Sequence, residues 1–279
     1  MMKRLFIGFQ ALIPQHALSR LIGRLASLER PFWLKNTLIW LFMRQYGVEL
    51  RDATTENPEA FPTFNAFFTR DLKPDARPPG DSRYLQPADG VLSQRGSIDD
   101  GAAIQAKGRH YSIAALLGGS DENGARRFAE GCFATVYLSP RDYHRVHMPI
   151  SGTLKKTRYI PGHLFSVNDT TANAINNLYA RNERLVCFFD TADGELAVVL
   201  VGAVIVAGIE TVWGGIEEPG GDAPRERRFD AAEAPTLSAG EELGRFFLGS
   251  TVVLVTSNPA LEWLAQTGQS VRVKAPLAN

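Results

Sequence analysis

Apolar positions in the first fifty residues recur at helical spacing. Leu18, Leu21, Ile22, Leu25 and Leu28 share one face of a helix predicted over residues 15–30, with Arg20 and Arg24 one turn apart elsewhere on its circumference. Pro31 ends that pattern. A second begins with Leu34, Leu38, Ile39, Leu41, Phe42 and Tyr46, predicting a helix over residues 34–46. Its uncharged apolar run, Leu38 to Met43, is far shorter than the roughly 20 residues a spanning helix needs, so no transmembrane segment is predicted. Lys3 and Arg4 before Leu5-Phe6-Ile7 resemble the opening of a secretory leader. Gln10 and Pro14 interrupt the run, and no cleaved leader is expected.

The pattern then changes. Residues 52–83 are rich in Pro, Asp and Arg and read as a connector, with one apolar patch from Phe61 to Phe68 and a short helix capped near Thr63. Beyond it the apolar runs are short and bounded by turn residues. Pro87-Ala88-Asp89-Gly90-Val91-Leu92 is a turn entering a strand. Thr135–Leu138, Leu185–Phe189, Leu196–Val201, Ala203–Trp213, 251–256 and 271–274 are further strands, and Asp193-Gly194 marks a hairpin turn. Glu241–Phe247 reads as helical, and residues 217–240 as a mobile surface loop with a solvated Arg225–Arg228 run. Strands outnumber helices without βαβ alternation, which predicts an α+β fold with N-terminal amphipathic helices on a β-rich body. The division is 1–51, 52–83 and 84–279.

Composition adds one asymmetry to this picture. The chain has no net charge, yet residues 1–51 hold eight basic side chains against two acidic ones, a net +6 balanced by −6 on the remainder. A basic, apolar N-terminal segment suits an anionic membrane surface. The same apolar stripes also suit packing on the body or on a second subunit. The body has no basic stripe or nucleic-acid-binding motif, and no nucleic acid partner is expected. Cys132 and Cys187 lie far apart in apolar runs and read as buried thiols in a reducing compartment.

The densest polar cluster, Ser139-Pro140-Arg141-Asp142-Tyr143-His144-Arg145-Val146-His147, holds two of the five histidines. His-x-x-His can hold a metal on a helical face, but no further ligand is evident and no metal is expected. The pair reads either as histidines hydrogen-bonded in a loop or as a general base and a proton donor. Asp89 is a turn aspartate or the group that orients a histidine. Gly249-Ser250, at the mouth of the apolar run Val252–Val255, is a turn or a reactive serine beside a permissive glycine. Asp89, His147 and Ser250 run in an order a triad allows. The Gly-x-Ser-x-Gly elbow of many serine hydrolases is absent.

Taken together, Pro87-Ala88-Asp89-Gly90, the segment Tyr137–His147 and Leu248-Gly249-Ser250-Thr251 resemble the bacterial proenzyme type of phosphatidylserine decarboxylase. Lys107-Gly108 with Tyr111-Ser112, Leu164–Asn168, Ala180–Arg184 and Glu210–Trp213 extend the resemblance over nearly the whole chain. It implies a charge relay of Asp89, His147 and Ser250, in which His147 takes the hydroxyl proton and Ser250 attacks the carbonyl of Gly249. The chain would then be cut between 249 and 250 into 1–249 and 250–279, leaving a pyruvoyl group at residue 250 as covalent cofactor. It further implies a Schiff base with the amine of phosphatidylserine, decarboxylation to phosphatidylethanolamine, and His144 as the group handling the decarboxylation proton. A homodimer of two-chain protomers, peripheral on the cytoplasmic face of the cell membrane, is the implied setting. Two alternatives remain: a Ser-His-Asp lipid hydrolase that stays intact, and a non-enzymatic scaffold docked on membranes.

Overall fold

The computed structural model describes residues 14–106, 108–119, 125–203, 208–217, 223–247 and 250–279. The leader-like opening and Leu248-Gly249 lie outside the described residues. Helix α1 spans Gln15–Ala26 and α2 spans Phe32–Tyr46, each preceded by a proline, whose missing N–H costs little where a helix has no partner for it. Gly47 closes α2 in the left-handed conformation, and its N–H bonds the Met43 carbonyl. Among the described residues no helix is long and apolar enough to cross a membrane.

Helix α3, Phe64–Phe68, is capped by Thr63, whose hydroxyl accepts from the Ala66 N–H at 3.0 Å. Phe61, Phe64, Phe67 and Phe68 share a buried cluster with Ile39, so the patch inside the connector is the underside of the helical layer. Buried Lys35 fastens that layer by donating to the carbonyls of Glu59 and Phe61 at 2.9 and 2.5 Å. At the other end of the layer, the Gln15 side chain accepts from the Leu164 N–H at 2.7 Å.

The body carries strands β1 (Tyr84–Leu85), β2 (Gly90–Ser97), β3 (Ala102–Ala106), β4 (Arg109–Ser112), β5 (Cys132–Leu138), β6 (Arg145–His147), β7 (Gly152–Ile160), β8 (Arg184–Thr191) and β9 (Gly194–Gly202). They are followed by β10 (Gly208–Thr211), β11 (Gly215–Glu217), β12 (Arg225–Arg228), β13 (Thr236–Leu237), β14 (Glu242–Phe247), β15 (Ser250–Thr256), β16 (Ser270–Val271) and β17 (Pro276–Ala278). Nine form one sheet in the order β12-β7-β8-β9-β15-β5-β2-β16, with β13 also paired to β7. A four-stranded sheet, β11-β10-β14-β6, faces it. Strand β15 is buried along its length and pairs antiparallel with β5 on one edge and β9 on the other. Its side chains alternate between two cores: Val252 and Leu254 enter the one between the sheets, Val253 and Val255 the one on the opposite face. The α+β architecture expected from the pattern is the one observed.

Several segments differ from the sequence reading; the strand expected over 271–274 reduces to β16, Ser270–Val271, with a turn after it. Glu241–Phe247 forms no helix: Glu242–Phe247 is strand β14. A register shift between Glu242 and Gly244 interrupts its alternation, leaving Leu243 and Phe246 both buried three residues apart, a spacing that mimics a helix. Arg225–Arg228 is exposed as expected but is a strand, pairing with β7 as the sheet edge. Charge on an edge strand discourages further pairing. Both cysteines are buried free thiols.

Candidate active site

Ser250 is the first residue of β15 and is wholly buried. By the alternation of the strand its side chain faces the core between the two sheets, on the side where the segment leading into β6 lies. That segment presents His144, also wholly buried, with Nδ1 3.4 Å from the Ser250 hydroxyl. The far nitrogen, Nε2, lies 3.1 Å from the Ser139 carbonyl. A carbonyl only accepts, so Nε2 carries the proton and Nδ1 offers its lone pair to the serine O–H. Burial, assisted by the charge of Arg70, pushes the imidazole down to about 3. His144 is therefore a neutral base at physiological pH.

The turn that carries His144 is closed by its own side chains. Asp142 accepts from both the Ser139 N–H and the Ser139 hydroxyl at 2.7 Å, and the Asp142 N–H returns a bond to the Ser139 carbonyl. Burial raises the Asp142 carboxyl above its usual range. Phe68 of α3 lies flat on the imidazole, with ring centroids 3.9 Å apart. The helical layer thus supplies one wall of the site.

His147 points elsewhere. Its Nδ1 donates to the Gly240 carbonyl at 2.8 Å, and its Nε2 accepts from the Tyr143 hydroxyl at 3.0 Å. Burial pushes its imidazole down and the Tyr143 phenol up. Asp89 precedes Gly90, where a β-carbon would come within 2.2 Å of the Tyr137 carbonyl, so only glycine lets β2 start so close to β5. The Asp89 carboxylate accepts from Arg77 at 2.6 and 3.1 Å and from the Val273 N–H at 2.8 Å. Arg77 also donates to Asp52 at 2.8 Å; against the cost of its burial, the bonds to Asp89 and Asp52 hold it above the usual arginine range.

Of the four expected site residues, the structure brings Ser250 and His144 into direct contact. It gives Asp89 and His147 other hydrogen-bond partners: Arg77 occupies both Asp89 oxygens, while Tyr143 and Gly240 occupy both His147 nitrogens. The backbone N–H of His147 donates to the Pro87 carbonyl at 2.8 Å, keeping the two segments adjacent. Gly249 lies outside the described residues. Phe68, Arg70 and Arg77 were missed by the sequence reading. The signal for Phe68 was present, since Phe61–Phe68 is too apolar for a solvated connector; the two arginines carried none, because their partners are distant along the chain.

Fold and site together define an enzyme built on a buried serine and a neutral histidine. The family model described as phosphatidylserine decarboxylase matches residues 64–278, and one described as PSD matches residues 5–47. The phosphatidylserine decarboxylase proenzyme of Alcanivorax borkumensis is 53% identical over 279 residues, covering 98% of this chain and 95% of that protein. The proenzyme of that name from Azotobacter vinelandii is 53% identical over 267 residues, covering 94% of this chain and 93% of its own length. That of Stutzerimonas stutzeri is 52% identical over 274 residues, covering 96% and 91%. The chain belongs to the phosphatidylserine decarboxylase family.

Proposed function

We propose that this chain converts phosphatidylserine to phosphatidylethanolamine with a pyruvoyl group made from its own Ser250. The observation that carries the reading is the buried Ser250 hydroxyl facing the proton-free nitrogen of His144. Ser250 fits the group: it is shielded from bulk water, and β5 and β9 grip the strand that follows it. When formed, the pyruvoyl ketone supplies an electron sink for loss of the substrate carboxylate.

The chain's own residues do the rest. In processing, a histidine takes the Ser250 hydroxyl proton as the oxygen adds to the Gly249 carbonyl carbon. The amide nitrogen leaves with a proton and an ester replaces the peptide. Loss of the Cα proton then expels the Gly249 carboxylate, separating 1–249 from 250–279. The dehydroalanine left at 250 tautomerises to an imine that water hydrolyses to the ketone, releasing ammonia. In turnover, the imidazole beside residue 250, once it has taken up a proton at Nδ1, is suited to deliver it to the substrate carbon. The family resemblance gives the first duty to His147, supported by Asp89, and the second to His144. The 3.4 Å contact favours a second reading, in which His144 takes the processing proton as well.

Nine large apolar side chains of the helical layer support a peripheral place on an anionic membrane, among them Leu21, Phe32, Trp33 and Trp40, each more than half exposed. Residues 1–51 are the membrane-engaging part on this reading, 52–83 the joint and 84–279 the catalytic body. A homodimer at the cytoplasmic face completes it.

Intact mass under denaturing conditions tests the proposal. Wild-type chain is expected as two fragments, with the smaller lacking a free N-terminal amine, and Ser250→Ala as one inactive chain. A wild-type chain found whole, with serine at 250, would overturn it. His147→Ala uncut, with His144→Ala cut but inactive, supports the assignment from resemblance; His144→Ala uncut supports the contact-based one.

A further inference from the structure

Among the described residues, Arg70 is a buried cation with no carboxylate in an ion pair with it. The residue is 6% exposed, and Asp89 and Asp142 act on it only through their charge. Nη2 instead donates to two consecutive main-chain carbonyls, Arg141 at 3.1 Å and Asp142 at 3.3 Å. Those carbonyls belong to the turn that begins at Ser139 and delivers His144. The guanidinium also lies over the Phe67 ring, 5.9 Å from its centroid. Burying a guanidinium is costly, and here burial holds its pKa below the usual arginine value. Two neutral carbonyls are a weak return for that cost if the only purpose is to brace a turn.

We infer that Arg70 is a positioning residue for His144, clamping the Ser139–His144 turn and setting the field in which the imidazole works. The inference rests on the reading of Ser250 and His144 given above. Three contacts converge on the ring: the Ser139 carbonyl sets its tautomer, Phe68 covers its face, and the serine hydroxyl meets Nδ1. Arg70 holds the turn that supplies the first, and it follows the helix that supplies the second by two residues. Its positive charge opposes a second positive charge on the imidazole, as burial does. The other titratable groups that act on Arg70 are Asp142 and Tyr143, on the same turn, Asp89 at the start of the body and Arg77 in the connector; the carboxylates and the phenol favour its charge and Arg77 opposes it. Arg70 thereby lets a histidine sit beside the reactive serine without protonating in mild acid.

Full-length chain made by cell-free synthesis tests this, with processing followed by intact mass between about pH 3 and pH 8 and decarboxylation assayed on phosphatidylserine vesicles at neutral pH. Arg70→Met removes clamp and charge. Both rates are expected to fall by about tenfold or more, and the acid limb of the processing profile to move to higher pH, because the imidazole then protonates more readily and can no longer take the serine proton. Arg70→Lys keeps the charge but not the two-carbonyl grip, so its rates should fall while the acid limb stays at the wild-type pH. A folded Arg70→Met chain with wild-type rates and an unmoved limb overturns the inference. If that variant does not fold, Arg70→Lys decides: wild-type rates, or a moved limb, overturn it equally. A wild-type chain that neither processes nor decarboxylates would instead strike the underlying reading, whatever stands at position 70.

Discussion

His144 couples chemistry to stability. Its folded imidazole titrates near 3, against an ordinary value of 6.5 in the unfolded chain. Between those values the unfolded chain binds a proton that the folded one refuses, so this contribution is fully present above about pH 6.5 and is lost as the pH falls toward 3. His147 is shifted the same way. On the uncut Ser250→Ala background, the urea midpoint should decline as the pH is lowered from neutral through this window. Adding His144→Gln should flatten the decline; an unchanged slope would show that the ring is not held neutral. Asp52 acts lower on the scale: its bond to Arg77 holds it below the usual 3.8, so its contribution fades only in stronger acid. The candidate residues themselves were legible because their neighbours form distinctive strings. Their partners were not, since Arg77 reaches Asp89 from the connector and Gly240 reaches His147 across 93 positions.

At the level of elements, the helical layer and the catalytic body meet through α3. Phe42 of α2 contacts Phe64 and Phe68 edge-on, at 5.1 and 5.8 Å between centroids, and Phe68 in turn stacks on His144. Phe68→Ala should cost about 3–5 kcal/mol, the usual range for emptying a buried phenylalanine site. It should also slow processing, because the ring loses one wall; Phe68→Leu should recover most of the stability and less of the rate. Chemical denaturation and time-resolved intact mass measure the two effects separately. The α1, α2 and α3 helices were readable from their periodicity and from the Thr63 cap. Strand β14 was not, because its register shift puts two core residues at the wrong spacing. The short edge strand β12 offers no hydrophobic alternation to read, and its identity comes entirely from pairing with β7.

For the whole molecule, the placement of β15 has a consequence that extends beyond the active site. Residues 250–279 supply β15 to the middle of the nine-stranded sheet and, through β16 and β17, close onto β2 and β1. Before the proposed cut at Ser250, that segment is tethered and its insertion is an intramolecular event at high effective concentration. After cutting, the same insertion becomes a meeting of two molecules, one of them only 30 residues long. The native state is thus reachable from one precursor but not readily from its own products. Urea-unfolded Ser250→Ala chain should refold on dilution at a yield independent of concentration. Processed enzyme should refold poorly, with a yield that rises with protein concentration and with added 250–279 peptide; equal, concentration-independent recovery of both would contradict this. On the proposed reading, maturation at Ser250 erases the route by which the protein was made, and each molecule carries its fold as history rather than as an equilibrium it can regain.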